Sequence, residues 1–220
     1  MQSTTTNSVI QKQAVLNRVL RNTYLLLSLT LLFSAFTAYL SLNAAPMHFM
    51  VLLVGMFGFY FLTMALRNSS WGILAIFLYT GFMGYALGPI LNFYIHQFAN
   101  GPELVMTALG ATGVIFFTLS AYVLTTRKSF SYMGGFLAIA VMTAFLAGLA
   151  SMIFNLPTLS LLVSGVFVLV SSGFILYHTS EIIQGGERNY IVATISLYIA
   201  IFNLFVNLLR LLSVFAGNRN

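Results

Sequence analysis

The sequence predicts an all-α fold, a polytopic membrane bundle of seven transmembrane helices, and three observations carry that expectation. Of the 220 residues, 60% are hydrophobic and 5% charged, whereas a water-soluble domain carries about 25% charged residues because its surface must be solvated. The apolar residues gather into seven runs of about the 20 residues that a helix needs to cross a hydrocarbon core about 30 Å thick. Short polar or helix-breaking stretches separate these runs, and the basic residues concentrate in alternate ones. Lipid is therefore the solvent for most of this chain, whose mean hydropathy is +0.96.

Residues 1–22 are polar, show no apolar periodicity before Val15, and carry Lys12, Arg18 and Arg21. They read as an unstructured N-terminal tail. The apolar run behind them starts late, reaches full span length and lacks an Ala-x-Ala end, so it reads as a retained helix and not as a cleaved leader. Spans are expected at 23–42, 48–66, 71–92, 104–126, 132–154, 158–180 and 190–213, with 214–220 as a short C-terminal tail. The breaks are Asn43 to Pro46, Arg67 to Ser70, His96 to Glu103 with Gly101-Pro102, Arg127 to Ser131, Asn155 to Pro157, and Gln184 to Asn189 around Gly185-Gly186. Gly, Pro and clustered polar residues are the strongest local interruptions of a helix.

The net charge of +6 suggests nucleic acid only if the protein is soluble; in short loops between spans it sets orientation instead. The N-terminal segment and the loops at 67–70, 127–131 and 184–189 share one side and hold Lys12, Arg18, Arg21, Arg67, Arg127, Lys128 and Arg188. Only Arg210 and Arg219 are expected on the other side. Positive residues stay in the cytoplasm, so the N-terminus is expected inside and the C-terminus outside.

The chain has no cysteine, which excludes disulfides, thiolate nucleophiles and Cys-ligated metals. Its acids are Glu103, Glu181 and Glu187. His48 and His96 fall near one boundary of the membrane and His178 near the other, about 30 Å apart, so a shared zinc site is not expected. Ser171 and His178 share a helix face, but seven residues separate them by about 10 Å, too far for a dyad on one helix; a serine from another helix remains open. There is no His-Glu-x-x-His pair and no phosphate-binding Gly-rich loop. No catalysis, cofactor or metal is expected.

Packing and polar residues complete the reading. Gly81, Gly84 and Gly88 line the third span, Gly110 and Gly113 open the fourth, and Ala144 and Gly148 recur in the fifth. Small residues let helices approach closely in lipid. Pro89 removes a backbone bond at membrane depth, so a kink near Gly88-Pro89 is expected. His178 and Glu181 are three apart and hence neighbours on a helix face. They are candidates for a pH latch or pore with Asn203 and Arg67; the alternative is that both acid and imidazole are simply hydrated, or paired with Arg67 or Arg188. Asn203 and Asn207 could bond across helices or line a polar path. Trp71, Tyr190 and Tyr198 are candidates for interfacial anchors.

The stretches Gly72-Ile-Leu-Ala75, Gly84-Tyr-Ala-Leu-Gly-Pro-Ile-Leu91, Ala108 and Thr112-Gly113 resemble the signature of the Bax-inhibitor (TMBIM) family of membrane proteins, and the likeness covers essentially the whole hydrophobic chain. Three further stretches are similar to a bacterial inner-membrane branch of that family: Val19-Leu-Arg-Asn-Thr-Tyr24, Ser120-Ala-Tyr-Val-Leu-Thr-Thr-Arg-Lys128 and Gly185-Gly-Glu-Arg-Asn-Tyr-Ile191. The resemblance implies six helices in two layers around a central, C-terminal seventh. The bacterial branch implies binding to the membrane protease FtsH and its associated complex, with restraint of proteolysis; Lys12, Arg18 and Arg21 then mark a partner-binding tail. Other members imply a pH-sensitive calcium or proton leak gated by two buried aspartates. Here His178 and Ala200 stand where those aspartates are expected. Calcium seeks several oxygen ligands, carboxylates above all, so calcium sensing by that route is not expected.

Overall fold

A computed structural model describes residues 2–217, with side chains described from residue 15 to residue 216. Among the described residues the elements are α1 (Gln2–Leu40), α2 (Phe49–Leu66), α3 (Trp71–Gln97), α4 (Gly101–Thr126), α5 (Met133–Ile153), α6 (Pro157–Gln184) and α7 (Tyr190–Gly217). Each of the seven contains a stretch long and apolar enough to cross a membrane. Helices are the solution because lipid offers no partner to a backbone amide or carbonyl, so each segment must satisfy itself.

α4 starts three residues before its expected bound, α6 and α7 each end four residues after theirs, and the two largest departures are the start of α1 and the end of α3. α1 is helical from Gln2, and its apolar part is Val15–Leu40, where an unstructured tail was expected up to residue 22. For residues 15–22 the physical reason lies in Val15, Leu16, Val19 and Leu20, whose spacing carries the apolar stripe outward; Val19 is buried. The side chain of Lys12 lies outside the described residues. α3 runs through Pro89 to Gln97, five residues beyond the expected end at 92, so the proline interrupts one bond of the ladder without ending the helix.

α7 is the most buried span, and α1, α3, α4 and α6 all pack on it. The other two helices stand outside that ring: α2 packs on α3, and α5 packs on α6. The six surrounding helices thus form two layers of three, with α3 between α1 and α2, and α6 between α4 and α5. The main core gathers Leu27, Ile76, Phe116, Ile175, Ile195 and Leu204 from α7 and the four helices packed on it.

The tightest seam joins α1 to α3. A Cβ at Gly84 would collide with the Ser34 carbonyl and the Thr37 side chain, and one at Gly88 would lie 2.6 Å from the Ala38 carbonyl oxygen. A Cβ at Gly81 would meet Phe33. The fourth span differs from the sequence reading: Gly110 and Gly113 face open space, so they make no close helix contact. Gly110 falls on the exposed α4 face opposite its buried residues Ala108, Thr112 and Phe116, and Gly113 on the half-buried flank.

Candidate functional site at the basic end of the bundle

One end of the bundle brings together the start of the membrane-embedded part of α1 and the loops 67–70, 127–132 and 185–189. Local chemistry shapes each loop. Arg127 closes α4 in the left-handed conformation, with φ 50°. Gly185 closes α6 with φ 80°, where a side chain is sterically disfavoured. Asn189 then opens α7: its Oδ1 accepts the backbone N–H of Ile191 at 2.9 Å and of Val192 at 3.3 Å, satisfying donors that a helix start otherwise leaves free.

The same asparagine ties a second loop. Its Nδ2 donates to the Arg67 carbonyl at 2.8 Å and to Asn68 Oδ1 at 3.0 Å, fixing the α2–α3 turn to the start of α7. Across the end, the last turns of α6 hold the α4–α5 loop. Ser180 Oγ accepts the Phe130 N–H at 2.8 Å, Ser131 Oγ donates to Glu181 Oε1 at 2.8 Å, and Gln184 Nε2 donates to the Arg127 carbonyl at 2.8 Å. Glu187 Oε1 accepts the Asn189 N–H at 2.7 Å. Both acids of this end are thus turned into the loop framework. The cations Arg18, Arg21, Arg67, Arg127, Lys128 and Arg188 are exposed. The arrangement is a braced platform of positive charge, suited to meeting an acidic surface.

Each residue grouped for a latch has contacts of its own. The half-buried His178 ring packs against Phe174, with centroids 5.5 Å apart, and edge-on to Tyr177 at 5.1 Å. Glu181 is engaged by Ser131 instead. Arg67 caps the end of α2 and enters the polar framework through its carbonyl. The amides of Asn203 and Asn207 donate to the carbonyls of Ile199 and Asn203, at 2.9 and 2.8 Å. Those bonds lie within α7, not between helices. Among the described residues there is no group of three or more His, Cys, Asp or Glu able to hold a metal ion.

Tyr198 is not an interfacial anchor. It is 1% exposed in the core, hydrogen-bonded to Ser34 Oγ at 2.7 Å and donating to the Thr80 carbonyl at 3.3 Å. It therefore locks α7 to both α1 and α3. Its position eight residues past Tyr190, more than two helical turns inward, is the signal that separates it from a headgroup anchor. Trp71 is exposed at the basic end, where an amphipathic ring suits the headgroup region. The sequence reading passed over Asn189, although an Asn just ahead of a long apolar run is a helix-start signal.

A seven-span bundle closed around its C-terminal helix defines the class: a polytopic helical membrane protein. The family described as "Inhibitor of apoptosis-promoting Bax1" matches residues 16–218, and the chain belongs to that family. It is 50% identical over 198 residues to the "Modulator of FtsH protease YccA" of Escherichia coli K12, covering 89% of this chain and 90% of that protein. An uncharacterized protein of Pseudomonas aeruginosa is 49% identical over 214 residues, with 96% of each chain covered. An uncharacterized membrane protein of Vibrio cholerae is 42% identical over 217 residues, with 97% of each covered.

Proposed function

We propose that this protein is an inner-membrane partner of the protease FtsH that binds it and restrains its proteolysis. The observation that carries the reading is the half-identity, spread along nearly the whole chain, to a relative named as a modulator of that protease. The braced basic end supports a docking role. In this reading the end faces the cytoplasm, the C-terminus faces the periplasm, and Lys12, Arg18 and Arg21 present the approach to a partner.

Restraint then follows from mechanics. A protease that pulls on α1 works against the α1–α3 seam at Gly84 and Gly88, and against the Ser34–Tyr198 bond. It also works against the Thr194 hydroxyl, which lies 3.3 Å from the Thr23 carbonyl. Bound but poorly extractable, the protein occupies the protease without being readily consumed. The test is co-purification with FtsH from detergent-solubilised membranes. Deleting residues 2–18 should cut capture about ten-fold, equivalent to about 1.4 kcal/mol of binding; undiminished capture refutes the role of this segment.

A second reading is a pH-sensitive calcium or proton leak, favoured by one observation. Ser196, Asn203, Asn207 and Arg210 fall on one face of α7 by their spacing, and that face is less buried than the rest. His178 and Glu181 would stand at its inner end. Ion flux in protein-only liposomes, changed by His178→Ala and not by deleting residues 2–18, separates this reading from the first.

A further inference from the structure

Buried hydroxyl groups in this bundle mostly find a partner on their own helix or on a neighbouring segment, and four have none among the described residues. Thr30, Ser41, Thr80, Thr112, Ser151 and Ser164 each donate to a carbonyl three or four residues back on their own helix. That is how Ser and Thr avoid an unpaired hydroxyl inside a helix. Thr23 Oγ1, Tyr24 Oη, Ser120 Oγ and Thr179 Oγ1 are buried and have no partner among the described residues. Thr23, Ser120 and Thr179 are each at most 2% exposed.

These exceptions sit on three different helices at one depth. A Cβ on Gly185 would lie 3.2 Å from Leu16 Cδ2, which sets the register of α6 against α1. Thr23 is seven residues inward from Leu16 and Thr179 six inward from Gly185, so they lie about 10 Å and about 9 Å from that contact at 1.5 Å per residue. Gln184 bonds the Arg127 carbonyl, which sets α4 against α6. Ser120, seven residues before Arg127, again lies about 10 Å inward. Tyr24 spans the gap, its ring 6.0 Å from that of Phe116, one helical turn from Ser120.

We propose that Thr23, Tyr24, Ser120 and Thr179 hold a cluster of internal waters between α1, α4 and α6, just beneath the loops of the basic end. A hydroxyl both donates and accepts, so four of them give a small water cluster the several polar partners it needs. An apolar filling would leave each hydroxyl unpaired, which is disfavoured in a buried site. A cation would need compensating charge, and none of the four residues supplies it. The proposal stands apart from partner binding and goes beyond it.

The test is water-to-methyl magnetisation transfer in the full-length protein in detergent, with threonine methyls labelled. Thr23 and Thr179 methyls should show water cross-peaks, while the back-bonded Thr30 and Thr80 should show none. Thr179→Val should weaken the Thr23 cross-peak by about two-fold or more, because shared waters lose a holder. If Thr179→Val does not fold, Ser120→Ala makes the same comparison. Absence of water signal at both Thr23 and Thr179 overturns the proposal. So does a Thr23 signal indifferent to removal of a partner hydroxyl.

Discussion

The two ends of the bundle are held by different devices. At the basic end, side chains bridge segments far apart in sequence: Asn189 to the 67–68 turn, and Ser180, Glu181 and Gln184 to the 127–131 loop. At the opposite end, turns close on their own backbone, as in Gly101 N to Phe98 O at 3.0 Å and Leu156 N to Ser151 O at 2.9 Å. There the chain relies on close approach, since a Cβ on Gly101 would collide with the Tyr94 and Ile95 carbonyls. Among the described residues one polar bridge, Arg210 to Ser160, joins α7 to α6 near that end. Polar bracing keeps a surface in one shape while leaving its cations exposed, which is what a docking face requires. Steric closure only keeps helices together.

The contrast can be broken or sharpened by substitution, read as thermal or denaturant unfolding in detergent. Gly101→Val should be the most damaging, at about 3 kcal/mol, because backbone carbonyls cannot yield to a new side chain as another side chain can. Asn189→Ala removes a helix cap, worth about 1 kcal/mol, together with its bonds to Arg67 and Asn68. A total loss of about 1–2 kcal/mol is expected, with α2–α3 turn amides exchanging faster by hydrogen exchange. Ser131→Ala should cost less, near the roughly 0.6 kcal/mol typical of polar contacts between membrane helices, and should loosen the 127–131 loop only. Gly110→Ala, facing open space within a helix, should be neutral or stabilising by up to about 1 kcal/mol. If Asn189→Ala left the 67–70 turn as protected as before, the bracing account would fail.

The pattern of what the sequence revealed follows from the physics. Span positions were legible because hydrocarbon thickness imposes a length on apolar runs, and interruptions such as Arg67 to Ser70 or Gly185-Gly186 are unambiguous. Packing was legible on α3, where Gly84 and Gly88 share a face, but not on α4. Composition does not say which side of a helix a glycine occupies, and a Cβ at Gly110 or Gly113 would meet only open space. Tyr198 was misread because an aromatic ring with a hydroxyl suits both a headgroup and a buried lock; only the partners, Ser34 and Thr80, distinguish them. For Asn203 and Asn207 the sequence leaves bonds across helices and a polar path both open, because spacing cannot reveal that an amide turns back on its own helix. The early start of α1 was missed because the polar residues 2–14 carry no apolar periodicity.

The most direct test of the central claim, that the basic end is the face that meets FtsH, uses the absence of native cysteine from the chain. Single cysteines replacing Arg18 or Lys128 at the basic end, and Asn100 at the opposite end, would be cross-linked in membranes containing the protease. The account predicts adducts with FtsH from Arg18→Cys and Lys128→Cys and none from Asn100→Cys. Adducts from Asn100→Cys alone, or equally from both ends, would contradict it.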